Sequence, residues 1–229
     1  MQRVAQTFRN DGEKMKIRGA IFDLDGTLLD SMFIWETIGE DYLRSLGIEP
    51  GEELNEKLKN MSLYQAACYY KREYGVSGTL EEIMAGVNKS IEHFYIDQVL
   101  PKKGAPEFLA RLKSEGVKMC VATATDKHLV QAALKRTGLL NYFGEIFTCT
   151  SVGCGKDEPR IYDKSLDFLG TLKSETIVFE DALYAIKTAK NAGYIVCAVY
   201  DKFAQEQKEI KALADYYLKD FTETEVIIK

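Results

Sequence analysis

Between residues 101 and 200 the chain alternates short, near-continuous apolar runs with segments of helical period. Residues 117–123, 145–150, 176–180 and 195–200 read as strands, and 216–218 adds one more. Residues 106–114, 129–137, 161–169 and 182–192 read as helices, with Gly116, Gly138 and Gly193 placed to end three of them. Strands apolar on both faces, separated by helices, imply βαβ units and a parallel sheet covered on both sides. One further strand, residues 17–22, stands far upstream and runs into Asp23-Leu24-Asp25-Gly26-Thr27. The predicted fold class is therefore α/β, with a Rossmann-like parallel sheet covered by helices.

The stretch between that first strand and the rest, residues 32–100, carries mostly helical patterns. Phe33, Ile34, Ile38, Tyr42 and Leu46 share one helical face, and segments 54–58, 63–74 and 80–99 suggest three more helices. The expected organisation is a core of residues 15–31 and 101–229 with a small α-helical cap domain, 32–100, inserted after strand one. Ligands of open α/β sheets bind beyond the carboxyl ends of the strands. An insert leaving from such an end is placed to form a lid. Residues 1–14 are polar, lack the apolar core of a signal peptide, and read as a disordered extension ahead of Met15.

Composition narrows the class. With 229 residues, 46% of them hydrophobic, the chain is globular rather than disordered. Its net charge of −5 argues against nucleic acid, which needs a basic face. No apolar run approaches the ~20 residues that span a bilayer, so no membrane partner is expected. The cysteines, Cys68, Cys120, Cys149, Cys154 and Cys197, form no C-x-x-C pair, and with only His93 and His128 a zinc site is poorly supplied. An odd set of thiols without a signal peptide points to a cytoplasmic protein. A monomer is expected.

The chemistry gathers at strand ends. Asp23 and Asp25 lie two apart on an extended segment and so address one side. Their repulsion needs a cation, a shared proton or hydrogen bonds to offset it. Strand 117–123 ends in Thr123-Ala124-Thr125, hydroxyls and backbone N–H groups suited to phosphate oxygens but equally to capping a helix. Lys156 sits in a loop just ahead of a helix. Strand 176–180 delivers Glu180 and Asp181, and Asp181 with Asp23 could hold Mg²⁺, a hard ion that takes one or two carboxylates.

This order of Asp-x-Asp-Gly-Thr, Thr, Lys and Glu-Asp resembles the haloacid dehalogenase superfamily, over residues 17 to about 200. The helical segment 32–100 looks like the cap of the subfamily containing phosphoglycolate phosphatases and β-phosphoglucomutases. The resemblance implies a Mg²⁺-dependent phosphatase acting on a small phosphorylated metabolite. It makes Asp23 the nucleophile that forms an aspartyl-phosphate and Asp25 the general acid and base. Thr123, Ala124 and Lys156 would hold phosphoryl oxygens. Mg²⁺ would sit on Asp23, the Asp25 backbone carbonyl and Asp181, with Glu180 as further ligand or support.

The chain also departs from that pattern. Ala182 and Tyr184 follow Glu180-Asp181 where the family commonly has Ser and Gly, and Arg160 stands where an Asp is common. Along residues 58–63 it is similar to the mutases, but Leu63 replaces the Arg that clamps a second phosphate, and Trp35 aligns with a His. A sugar-phosphate mutase is thereby disfavoured, since Leu cannot replace a bidentate guanidinium. Trp35 is expected to pack between cap and core. A non-catalytic binding protein on the same fold is the remaining alternative. Lys57, Lys59, Lys71 and Arg72 are the cap's candidate substrate contacts.

Overall fold

The computed structural model describes residues 16–58 and 61–227. The predicted extension 1–14 and Lys59 lie outside the described residues. Strand β1 (Gly19–Phe22) leads into β2 (Leu29–Asp30), and helices α1 (Met32–Ser45), α2 (Leu54–Leu58), α3 (Leu63–Glu73) and α4 (Leu80–His93) follow. A π-helical turn, Phe94–Gln98, ends this stretch before β3 (Leu100–Pro101). Then come α5 (Ala105–Ser114), β4 (Lys118–Thr123), α6 (Lys127–Arg136), β5 (Ile146–Thr148), α7 (Cys149–Val152) and α8 (Arg160–Leu169). Strand β6 (Thr176–Glu180), α9 (Leu183–Asn191), β7 (Ile195–Val199), α10 (Gln207–Leu213) and β8 (Tyr216–Leu218) complete the order.

Among the described residues the main sheet has six strands, in the order β5-β4-β1-β6-β7-β8, all pairings parallel. The chain leaves β1 toward β4 and β5, then crosses back to β6 on the other side. The carboxyl ends of β1 and β6 thus flank the topological switch point where such sheets bind ligands.

Side-chain alternation divides the interior into two cores. Phe22, Val121, Phe179 and Val199 point to one face, with Phe108, Leu109, Leu129 and Leu134 of α5 and α6. Ile21, Ala122, Val178 and Val196 point to the other, with Ile161, Ile186 and Ile210 of α8, α9 and α10. Burial on both faces is why these strands are continuous apolar runs. Phe22 and Phe179 are register partners and stack at 4.4 Å between ring centres. Each immediately precedes a carboxylate, Asp23 and Glu180, so this stack fixes the separation of the two acidic strand ends.

The helices between β1 and α5 form an insert whose buried residues, among them Ile34, Tyr42, Tyr70, Ile83 and Tyr95, are continuous with the first core. Reciprocal capping boxes, Ser62 with Gln65 and Thr79 with Glu82, start α3 and α4. The two connections to the insert pair with each other, Leu29 opposite Pro101 and Asp30 opposite Leu100. The Lys102 N–H extends this pairing by donating to the Leu28 carbonyl at 2.8 Å.

Several elements differ from the expected ones. The 145–150 strand stops at Thr148, which caps α7 in a reciprocal bond with Ser151. The 80–99 helix changes to π geometry after His93. The β2–β3 pair and α10 were not expected: two residues are too few for a period-2 signal, and α10 buries only Ile210. All five thiols are free. No helix among the described residues is long and apolar enough to cross a membrane.

Replacing Phe22 by Ala removes the stacked ring beneath both strand ends and should cost about 3–5 kcal/mol. Urea unfolding of the purified variant reads this directly.

Candidate active site

Asp23 follows β1 directly, and its backbone N–H donates to the Phe179 carbonyl at 2.9 Å. Glu180 ends β6 one register step away. Between them lies the Lys156 ammonium, delivered by the loop joining α7 to α8. It bonds to Asp23 Oδ1 and, at 2.6 Å, to Glu180 Oε1. All three side chains are buried. Burial pulls Lys156 toward its neutral form, but the Asp23 and Glu180 carboxylates outweigh that and hold it well above its ordinary pKa. Burial raises both acids in turn, against the opposing pull of Lys156. Glu180 Oε2 is also occupied, accepting the Asp181 and Ala182 N–H groups at 2.8 and 2.9 Å.

Asp181 completes the cluster. One carboxylate oxygen from each of Asp23, Glu180 and Asp181 lies within 4.8 Å of the others. Thr27 Oγ1 donates to Asp181 Oδ1 at 2.8 Å. Gly26 makes this approach possible: its φ is +83°, and a Cβ there would collide with the Asp181 carboxylate. Burial, then the charges of Glu180 and Asp23, push the Asp181 carboxyl well above its ordinary range. Three buried carboxylates against one ammonium leave an excess of negative charge. Oxygen donors and that excess fit a hard divalent cation.

Asp25 sits in different surroundings. Its Oδ1 accepts from Ser31 Oγ and Tyr95 Oη, both at 2.6 Å, and its Oδ2 accepts from Thr125 Oγ1 at 2.6 Å. Burial, then the neighbouring Asp25 charge, raise the Tyr95 phenol well above its ordinary pKa, which keeps it a donor. Thr123 is buried at the end of β4, and its Oγ1 accepts the Thr125 N–H at 3.1 Å. The Thr123 hydroxyl hydrogen therefore remains for another acceptor. Ala124 lies half-buried between these two threonines.

The structure thus brings Asp23, Lys156, Glu180 and Asp181 into one cluster and turns the Asp25 side chain away from it toward hydroxyls. Sequence reasoning did not single out Thr27, Ser31, Thr125 or Tyr95 as site residues. Thr27 and Thr125 stood inside quoted motifs. Tyr95 continues the four-residue stripe Ile83, Val87, Ile91, a signal hidden by its resemblance to ordinary core. Lys102 and Asp201 were also missed: Lys102 Nζ donates to Asp201 Oδ2 and to the Tyr200 carbonyl, both at 2.7 Å, tying the returning connection to the end of β7.

Among the departures, Tyr184 is half-buried near the start of α9, its phenol raised by burial, then by Glu180 and Asp23, against the pull of Lys156. Trp35 packs against the first core with its indole N–H buried. Three of the cap's candidate contacts are engaged locally: Lys57 with Glu53 at 3.3 Å, Lys71 with the Gly78 carbonyl, and Arg72 with Glu73.

A parallel sheet with acids from two neighbouring central strands and a buried Lys defines a class of α/β hydrolases. A model of the haloacid dehalogenase-like hydrolases matches residues 20–199. The chain belongs to that family and is a hydrolase. It is 25% identical over 177 residues to the phosphorylated carbohydrates phosphatase of Thermotoga maritima, covering 77% of this chain and 82% of the relative. It is 28% identical over 189 residues to hexitol phosphatase A of Escherichia coli, covering 81% and 84%. In fold it is similar to CbbY of Rhodobacter sphaeroides in complex with phosphate, with a TM-score of 0.79 at 21% identity, covering 91% and 96%.

Asp181→Asn removes one of the crowded charges while keeping an acceptor for Thr27. In metal-free buffer at neutral pH the variant should be more stable than the parent, because burial and the neighbouring Glu180 and Asp23 charges disfavour the Asp181 carboxylate. Added Mg²⁺ should raise the melting temperature of the parent and leave that of the variant unchanged, as calorimetry with and without the ion would show.

Proposed function

We propose that the protein is a Mg²⁺-dependent phosphatase that hydrolyses a small phosphorylated metabolite of the carbohydrate type. Residues 15–31 and 101–229 form its catalytic core, and 32–100 its cap domain. The observation that carries this reading is the buried Lys156 ammonium bonded to Asp23 Oδ1. It anchors one oxygen of the carboxylate and leaves Oδ2 to attack. The named activities of the two relatives, on phosphorylated carbohydrates and as a hexitol phosphatase, support the substrate class.

In the first step Asp23 Oδ2 attacks phosphorus, the bond to the ester oxygen breaks, and Asp25 gives its proton to the departing alkoxide. In the second, water attacks the aspartyl-phosphate, Asp25 takes the proton, and Asp23 departs as a free carboxylate with phosphate released. Lys156, the Thr123 hydroxyl and the Ala124 backbone hold phosphoryl oxygens. Asp23, Asp181 and the Asp25 backbone carbonyl are the groups to hold Mg²⁺. The bound ion would neutralise charge on the phosphoryl oxygens. Glu180, with both oxygens already engaged, positions Lys156 rather than touching substrate.

Leu63 packs against the apolar core and offers no cation for a second phosphate, which supports a hydrolase over a mutase. The complete set of Asp23, Asp25, Lys156 and Asp181 supports an enzyme over a binding protein. Five free thiols fit a reducing, cytoplasmic setting.

Three measurements test the reading. Asp23→Asn should lower hydrolysis of p-nitrophenyl phosphate by about 10⁴-fold or more, and retained activity overturns the assigned nucleophile. Chelation should abolish turnover and Mg²⁺ restore it. Within a phosphate-ester panel, hexitol and sugar phosphates should show the highest kcat/KM.

A further inference from the structure

Asp25 is held by three hydroxyls that come from three separate parts of the chain. Ser31 stands just after β2, and Thr125 follows β4. Tyr95 comes from the far end of the insert, 70 positions along the chain from the carboxylate it reaches. Tyr95 is fully buried and sits in the π-helical turn, where the Val99 N–H donates to the Phe94 carbonyl at 2.8 Å. Such turns rotate the following side chains relative to an α-helix and recur at functional sites. The turn is itself fixed to the core, because Arg136 of α6 donates to the Val99 carbonyl. Higher on the same helix, Asn88 donates to Asp126, which also accepts from Thr150 at 2.9 Å.

A carboxylate oxygen has two lone-pair sites. Ser31 and Tyr95 fill both on Oδ1, whereas Oδ2 takes only Thr125. We propose that Tyr95 is a positioning residue for Asp25: by saturating Oδ1 together with Ser31, it confines the proton exchanged with substrate to Oδ2. The insert then does more than cover the site, since it supplies the hydroxyl that selects which oxygen acts. This inference rests on the phosphatase reading above.

The test is Tyr95→Phe, which keeps the ring and removes the hydroxyl. General-acid help matters most when the leaving alkoxide is basic, and little for p-nitrophenolate. In the variant, kcat/KM for phenyl phosphate and for an alkyl phosphate should fall by on the order of 10-fold to 100-fold. For p-nitrophenyl phosphate it should stay within about 3-fold. Ser31→Ala, which removes the other Oδ1 donor, should steepen the leaving-group dependence in the same way, and serves alone if Tyr95→Phe does not fold. An equal loss on all three esters, or no loss, overturns the inference and leaves Tyr95 as packing. If the parent protein hydrolyses none of the three, the phosphatase reading itself has failed.

Discussion

The site depends on one buried ammonium. An ion of that size loses several kcal/mol of hydration on burial, and only close, well-directed counter-charges repay it. Lys156 has two, from the ends of adjacent central strands. Removing the lysine would leave two carboxylates facing each other out of water, so much of the surrounding order serves to bring it there. The β1–β6 register sets the spacing of Asp23 and Glu180, and the Phe22–Phe179 stack beneath them resists any slip. The short helix α7 and the start of α8 aim the intervening loop inward.

Asp23 and Asp25 show how far two identical side chains, two positions apart, can be separated in character. Asp23 faces a fixed positive charge and neighbouring acids. Asp25 faces neutral hydroxyls, each able to donate or accept. A fixed charge partner on one oxygen suits the nucleophilic role proposed for Asp23. Donor hydroxyls that hold Oδ1 and leave a lone pair of Oδ2 open suit the proton exchange proposed for Asp25. Gly26 and the tight turn behind it make the division possible by turning the chain within one residue of the second acid.

The sheet and its charged edge were legible because parallel strands buried on both faces must be continuous apolar runs, and the runs 17–22, 117–123 and 176–180 led into acids or hydroxyls. Asp23, Glu180 and Asp181 stood at the ends of such runs, whereas Lys156, in a loop, was joined to them only by the resemblance of the whole motif order. Tyr95 could not be singled out, since a tyrosine on the apolar stripe of α4 looks the same whether its hydroxyl is idle or bonded to Asp25. Its role depends on a change of helical pitch after His93, which no side-chain period announces. The β2–β3 pair was hidden for a related cause, being two residues long and made by partners far apart in sequence. Trp35 was expected to pack between insert and core, and it does pack against the continuous apolar cluster.

That small ribbon has a consequence for how the chain tolerates change. By pairing the outgoing and returning connections, it brings the ends of the insert together at the sheet edge, so the rest of the molecule meets the insert as it would a tight turn. Closure entropy then grows only with the logarithm of what lies beyond the ribbon, about 0.6 kcal/mol for each doubling. Segments of very different size can be exchanged at this junction without disturbing the strands beneath. The insert can thereby vary without moving the residues held at the strand ends.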